Sequence, residues 1–434
     1  MRLSFALGLS LLLGALPAWA DEFDFGEDFE EESGWSFPLR GSLGIGAGYQ
    51  VGEPKQLVSL ELLSTFVLEW SGSWGRLSGE GDVELNTAHW IEGRDDVAKE
   101  YALVAIPRSL SYSYAFEHVS VEVGQFMTVW STGDLIPVLD ILTAADTTEG
   151  FFARPEQYRM GQVGARVDAY LGKQTFSLVW HGWPQMNRVV DGNHPYSLTG
   201  GLEFEQKYVW DPSEIAGRWS LQTPGGSVAV MGGQVYDGNP VPEITFLNDM
   251  PVPTGEVGYI KYPFVGLALT QTMGSLLLKS EVSWSWDAMA MGLDEVSLLP
   301  RDMLKALVGL DYNHESFGTF MVESVLVFMP QDDSIAFEGQ SGRESELQIQ
   351  NAVMWSNQFF DDSLSIMVMG ILLDGLDNRV LRASLDYKLL DDLIISGQGT
   401  VIDFEAANVM SPGAQITGWD RVDVNLKWAW DLAR

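Results

Sequence analysis

The 434-residue sequence contains no cysteine. That excludes disulfides, thiolate metal sites, a cysteine nucleophile and a lipid-bearing cysteine anchor. Basic residues are scarce, 25 Lys and Arg against 60 Asp and Glu, for a formal charge of -35. A nucleic-acid partner needs a positive footprint to neutralise phosphates, so nucleic acid is excluded as a partner. The five histidines (89, 118, 181, 194 and 314) are scattered, and none falls at a metal-ligand spacing such as HExxH. No GxSxG nucleophile elbow is present either. The expectation is therefore no enzyme, no metal and no cofactor. Beyond the first twenty residues no apolar run reaches the ~20 residues of a spanning helix.

The chain opens with Arg2, an apolar run from Leu3 to Leu16, Pro17, and the small-x-small pattern Ala18-Trp19-Ala20. This reads as a secretory signal peptide over residues 1–20. Asp21 to Gly34 holds eight acids, no base and three phenylalanines. Charge of one sign at that density repels, so residues 21–36 are expected to be a disordered acidic periplasmic tail. The alternative is a segment, 21–34, that binds a periplasmic protein through Phe23, Phe25 and Phe29. The remainder is too rich for disorder, since 46% of the chain is hydrophobic and 12% aromatic.

Residues 37–434 alternate with a period of two. Near the start, Leu39, Leu43, Ile45, Ala47, Tyr49 and Val51 share one face, and Arg40, Ser42, Gly44, Gly46, Gly48 and Gln50 the other. Near the end, Val422, Val424, Leu426, Trp428 and Trp430 oppose Asp423, Asn425 and Lys427. Such alternation makes strands with one apolar face. Strand two (57–71) places Val58, Leu60, Leu62 and Phe66 outward, strand three runs over 74–91, and strand four (97–116) contains Pro107, which predicts a bulge. Strand five opens at Val119 and alternates as far as Val129. Short connections such as Gly72-Ser73, Gly172-Lys173 and Asp391-Asp392 alternate with long ones at 131–158, 184–212, 238–256, 290–302, 331–344 and 405–419. That rhythm is the periplasmic turns and extracellular loops of a transmembrane up-and-down antiparallel β-barrel in the outer membrane of a Gram-negative bacterium. The count is about 18 strands, or 16 if the register slips. Outer-membrane lipid is then the partner of the apolar face, and the tryptophans near strand ends (Trp70, Trp74, Trp180, Trp428) form interfacial girdles.

The connection at 131–158 is unlike the others. Leu135, Ile136, Val138, Leu139, Ile141 and Leu142 are interrupted by Asp134 and Asp140, with Asp146 following. So apolar a segment needs burial, which predicts a loop folded inward into the barrel. The three aspartates then require lumen partners, such as Arg166 and Arg218. The candidate pore-lining and constriction residues are Glu80, Asp82, Glu84, Asp134, Asp140, Asp146, Arg166, Asp168, Arg218, Lys279 and Glu281. Glu80, Asp82 and Glu84 share one strand face and would form a cation-favouring strip. The plainer reading is that such charges pair with one another and stiffen the wall.

Gly124, Trp130, Asp134, Asp140, Leu142 and Asp146 also fall on a family pattern: Gly-Arg-Gln after a strand, Trp-Gly-x-x-Asp, then Asp-x-(Ile/Leu)-Asn-Pro-x-Asp. Gln125 and Phe126, Ser131, and Thr143-Ala144 depart from it. The chain thus resembles, as a divergent member, the uncharacterised bacterial outer-membrane barrels often encoded beside lipid-exporter-like permeases of the resistance-nodulation-division superfamily. The resemblance implies the barrel fold, the outer membrane and a link to export or uptake of amphiphilic molecules, with no catalytic residues. The expected function is a porin-like channel passing small or amphiphilic solutes through a charged lumen constricted by the loop. The alternative is a non-conducting scaffold or partner of a periplasmic or inner-membrane export complex.

Overall fold

The structure is a computed structural model, and it describes residues 38–53, 55–148, 152, 158–188, 205–206, 213–238, 241–247, 250–289, 300–330, 346–373, 378–404 and 419–431. The signal peptide and acidic tail, and most of the long connections outside 131–158, lie beyond the described residues.

Eighteen antiparallel strands form one closed sheet. They are β1 (Leu39–Gln50), β2 (Gln56–Gly72), β3 (Gly75–Asn86), β4 (Leu103–Ala115), β5 (Val119–Phe126) and β6 (Gln162–Leu171). Next come β7 (Gln174–Trp183), β8 (Glu214–Thr223), β9 (Gly226–Tyr236), β10 (Lys261–Met273), β11 (Leu276–Met289) and β12 (Pro300–His314). The circuit ends with β13 (Gly318–Met329), β14 (Glu346–Phe359), β15 (Leu364–Leu373), β16 (Asn378–Leu390), β17 (Leu393–Phe404) and β18 (Arg421–Asp431). Each pairs with its neighbour in sequence, and β18 closes the barrel on β1 through Arg40↔Asp431 to Gln50↔Arg421. Closure satisfies every strand edge, which an apolar solvent demands.

Alternation sorts the two faces. On β1, Ile45 and Tyr49 are exposed on the outside while Ser42 and Gln50 are buried within. Exposed Val, Leu, Ile and aromatic residues recur around the circuit, from Leu62 and Phe66 to Val424 and Trp428, and make the lipid-facing band. The small face of the GIGAG stretch has a packing cause. A Cβ at Gly48 would meet the side chains of Asp423, Ser59 and Arg421.

Three local expectations need correction. Strand three stops at Asn86, and residues given to strands three and four instead form helices α1 (Ala88–Ile91) and α2 (Asp95–Tyr101). Strand five ends at Phe126, where the chain leaves the wall. Val58 is buried, not outward, because the register shifts beside it, where Gly48 pairs with Ser59 but Tyr49 with Leu57. The bulge at Pro107 is present: Gly81 pairs with Pro107 and Glu80 with Ser109, leaving Arg108 as the extra residue.

The hydrophobic core is inside the barrel. Leu135, Ile136, Val138, Leu139 and Leu142 of the 131–158 connection cluster with inward side chains of β9 to β17, among them Phe264, Leu307, Val325, Met354, Ile371 and Ile402.

Candidate functional site

After Phe126 the chain turns onto the inner wall, and two carboxylates receive it. Glu281 on β11 and Glu323 on β13 are fully buried, 0% exposed. Glu323 accepts the backbone N–H groups of Asp134 (2.7 Å), Leu135 (2.9 Å) and Ile136 (2.7 Å). Glu281 accepts those of Thr132, Gly133 (3.1 Å), Val138 (3.1 Å) and Leu139 (3.0 Å). The hydroxyls of Ser131 (2.8 Å) and Thr132 (2.9 Å) add to it. Buried backbone donors need acceptors, and this loop has no strand partner over 131–139. Two anions from the wall take that role, and the N–H groups in turn stabilise the buried charges.

The apolar side chains of the same stretch point away from the carboxylates into the core. Leu135, Ile136 and Leu139 are 0% exposed. Contact is close at Gly266, where a Cβ would lie 2.4 Å from Leu139 Cδ2. Farther on, Ala144–Ala145 pairs with Arg159–Met160 as a two-residue ladder.

The aspartates are paired, but not with the arginines expected. Asp134 meets Lys279, which also binds Asp311 at 2.5 Å. Asp140 pairs with Arg159 at 2.8 Å, and Asp146 with Arg188 at 3.0 Å. Burial pushes the Asp140 carboxyl above the ordinary carboxylate range, and the Arg159 guanidinium opposes that rise. Arg166 is engaged on its own sheet by Glu122 (2.8 Å) and Asp168 (3.2 Å). Arg218 lies within the fields of Glu281 and Asp168 rather than on a loop aspartate.

Glu80, Asp82 and Glu84 do share a face, with Val83 exposed on the other. Asp82 is held by Arg108, both side chains almost wholly buried, so the bulge at Pro107 is what delivers its partner. Sequence reasoning gave Glu323 no role in holding the loop. It missed the buried His181 Nδ1–Glu214 contact (2.8 Å) entirely. The signal for His181 was its place on the inward parity of β7, next to outward Trp180.

A cavity of about 130 Å³ lies between the loop and the wall on the side of the long connections. Pro137, Val138, Asp140, Ile141 and Arg159 line it from the loop, and Glu214, Tyr236, Asp237, Tyr262, Met303 and Lys305 from or beside the wall.

Two solved structures share this architecture. Acinetobacter baumannii OccAB3 superposes with a TM-score of 0.52 at 11% identity, covering 91% of this chain and 99% of that one. Acinetobacter baumannii OccAB1 gives 0.51 at 10%, covering 93% and 100%. At that identity the likeness speaks for fold. No protein-family model matches the sequence, and no curated protein is similar to it. The chain has the fold of an outer-membrane β-barrel, with a closed 18-stranded wall and an apolar exterior.

Proposed function

We propose that the protein is a channel for small or amphiphilic solutes whose lumen is narrowed by the loop at 131–158. The observation that carries this is the pair of buried carboxylates, Glu281 and Glu323, which take up the loop backbone inside the barrel. An element held by hydrogen bonds to two side chains is detachable in a way that a wall strand is not. Lys279, Glu281, Arg218 and Asp168 then belong to the lining exposed when the loop shifts, and Glu80, Asp82 and Glu84 to the opposite wall. Planar-bilayer recordings of the purified protein, with and without Glu323→Gln, test it. Conductance that rises on weakening the loop supports a channel; silence in both forms favours the scaffold.

A second reading is favoured by the apolar inner wall contributed by Phe264, Leu307, Val325, Met354 and Ile371. Such a surface suits amphiphilic molecules moved in concert with a permease of the resistance-nodulation-division superfamily. In that reading residues 21–34 supply an acidic, Phe-bearing handle for a periplasmic protein. Co-purification with the segment present or deleted tests the handle.

A further inference from the structure

One seam of the wall is completed by the loop rather than by a strand. β4 pairs with β5 only from Leu110↔Gln125 to Ala115↔Ser120, six pairs, against ten on its other edge with β3 and eight between β5 and β6. Among the described residues, 103–109 of β4 therefore have no strand of the sheet on that side. A strand that crosses the hydrocarbon takes about 9–11 residues, so six pairs fall short of it. The stretch nevertheless has an apolar outer face. Leu103 and Leu110 are 68% and 56% exposed, with Ala105 and Pro107 outward between them.

An open edge in hydrocarbon is costly, and groups at the root of the loop cover this one. The Gly161 N–H donates to the Arg108 carbonyl at 2.7 Å, and Arg108 Nη1 donates to the Arg159 carbonyl at 3.0 Å. Gln125 is a polar residue set between Leu110 and Val163 on the outward face, and its Nε2 donates to the Pro107 carbonyl at 2.9 Å. Ile106 of β4 packs against Ala144 and Met160. The wall here is thus filled by the ladder of Ala144–Ala145 with Arg159–Met160, which is held to β4 by a few hydrogen bonds and one small apolar cluster.

Behind that ladder lies the cavity of about 130 Å³, for Ala144, Ala145, Arg159 and Gln162 all line it. Its surface is mixed. Val138, Ile141 and Met303 are apolar, while Tyr158, Gln162 and Gln185 bring hydrogen-bonding groups. Its charges are of both signs: Asp140 pairs with Arg159, Glu214 with His181, and Lys305 lies in the field of Asp237. An uncharged, hydrogen-bonding group suits such a lining. A cavity of about 150 Å³ holds benzene, so a group of roughly six non-hydrogen atoms fits.

We propose that this seam is a lateral portal for a single-chain amphiphile with a small uncharged head. The head sits in the cavity, and the chain passes between β4 and β6 into the surrounding bilayer when the ladder moves off β4. The chain's path is apolar throughout, from Ile106, Ala144 and Met160 within to Leu110 and Val163 outside. The proposal rests on the amphiphile reading and adds the route by which such a molecule leaves the barrel.

The chain has no cysteine, so a pair can be placed across the seam, Ile106→Cys with Met160→Cys. The full-length protein is reconstituted in liposomes, and entry of radiolabelled 1-monododecanoylglycerol, presented on albumin, is compared with that of radiolabelled glycerol. The wild type should take up the amphiphile faster than protein-free liposomes do. Oxidation of the cysteine pair should bring that rate down to the protein-free level, reduction should restore it, and glycerol entry should not change. Gln125→Leu needs no cross-link and should act the other way, speeding amphiphile uptake roughly twofold to tenfold, the order of one neutral hydrogen bond. It decides the matter should the disulfide fail to form or the double variant misfold. Wild-type uptake no faster than that of protein-free liposomes would remove the amphiphile reading and the portal with it. Wild-type uptake that neither oxidation nor Gln125→Leu alters would keep that reading and overturn the portal alone. Loss of glycerol entry together with amphiphile uptake on oxidation would also overturn it, by making the route axial.

Discussion

Replacing Glu323 by glutamine tests how the loop is held, and the structure sets the size of the effect. The carboxylate accepts three backbone N–H groups at 2.7–2.9 Å from a site with no solvent exposure. Bonds of this kind to a charged group contribute about 1.5–3 kcal/mol each, against about 0.5–1.5 for a neutral pair. Glutamine keeps one acceptor oxygen. Its better orientation retains Leu135 and Ile136, which share Oε2, and turns an NH2 toward the Asp134 N–H. Two bonds then weaken and one becomes a donor facing a donor. The loop should lose about 3–5 kcal/mol of its preference for the lumen, a shift of roughly a hundredfold to several thousandfold. The barrel should still assemble, because no wall pairing is touched. Planar-bilayer recording should show larger or more frequent open events than wild type. Traces identical to wild type, with the barrel intact, would refute the claim that the carboxylate holds the loop in place.

Gly266→Val should force Leu139 out of its seat, at a cost of about 1–3 kcal/mol for overpacking, and make the 131–158 segment more open to added protease. Arg108→Ala should strand the buried Asp82 carboxylate and cost about 3–5 kcal/mol, lowering the temperature at which the folded gel band converts. Glu80→Gln combined with Glu84→Gln should lower cation preference, read as reversal potential in a salt gradient. Asp82→Asn should act on stability, because that carboxylate is held by Arg108.

Most of the wall was legible because period-two alternation is a local property. The face assignments of β1 and β18 needed nothing beyond their own residues. On β2 the assignment failed at Val58, because a register shift belongs to a pair of strands and leaves no mark on one of them. The helices at 88–101 were absorbed into strands because eleven residues between two well-patterned segments carry little periodicity of their own. The inward loop was legible from composition, since six apolar residues require burial wherever the chain runs. Its partners were not. Arg166 was favoured for lying next along the chain, yet its register already places Glu122 directly opposite. Lys279, Glu281 and Glu323 lie 142 or more positions from the loop atoms they bind, at a distance only the closed barrel abolishes.

The most direct measurement of the central claim is single-channel conductance after deletion of Leu135 to Thr143. That removes the aliphatic side chains from the core, each worth roughly 1.5–3 kcal/mol in burial, together with most of the N–H groups on the two carboxylates. A loop that narrows the lumen predicts an assembled barrel with higher conductance that admits larger solutes. An assembled barrel whose conductance and solute size limit match the wild type would contradict the account.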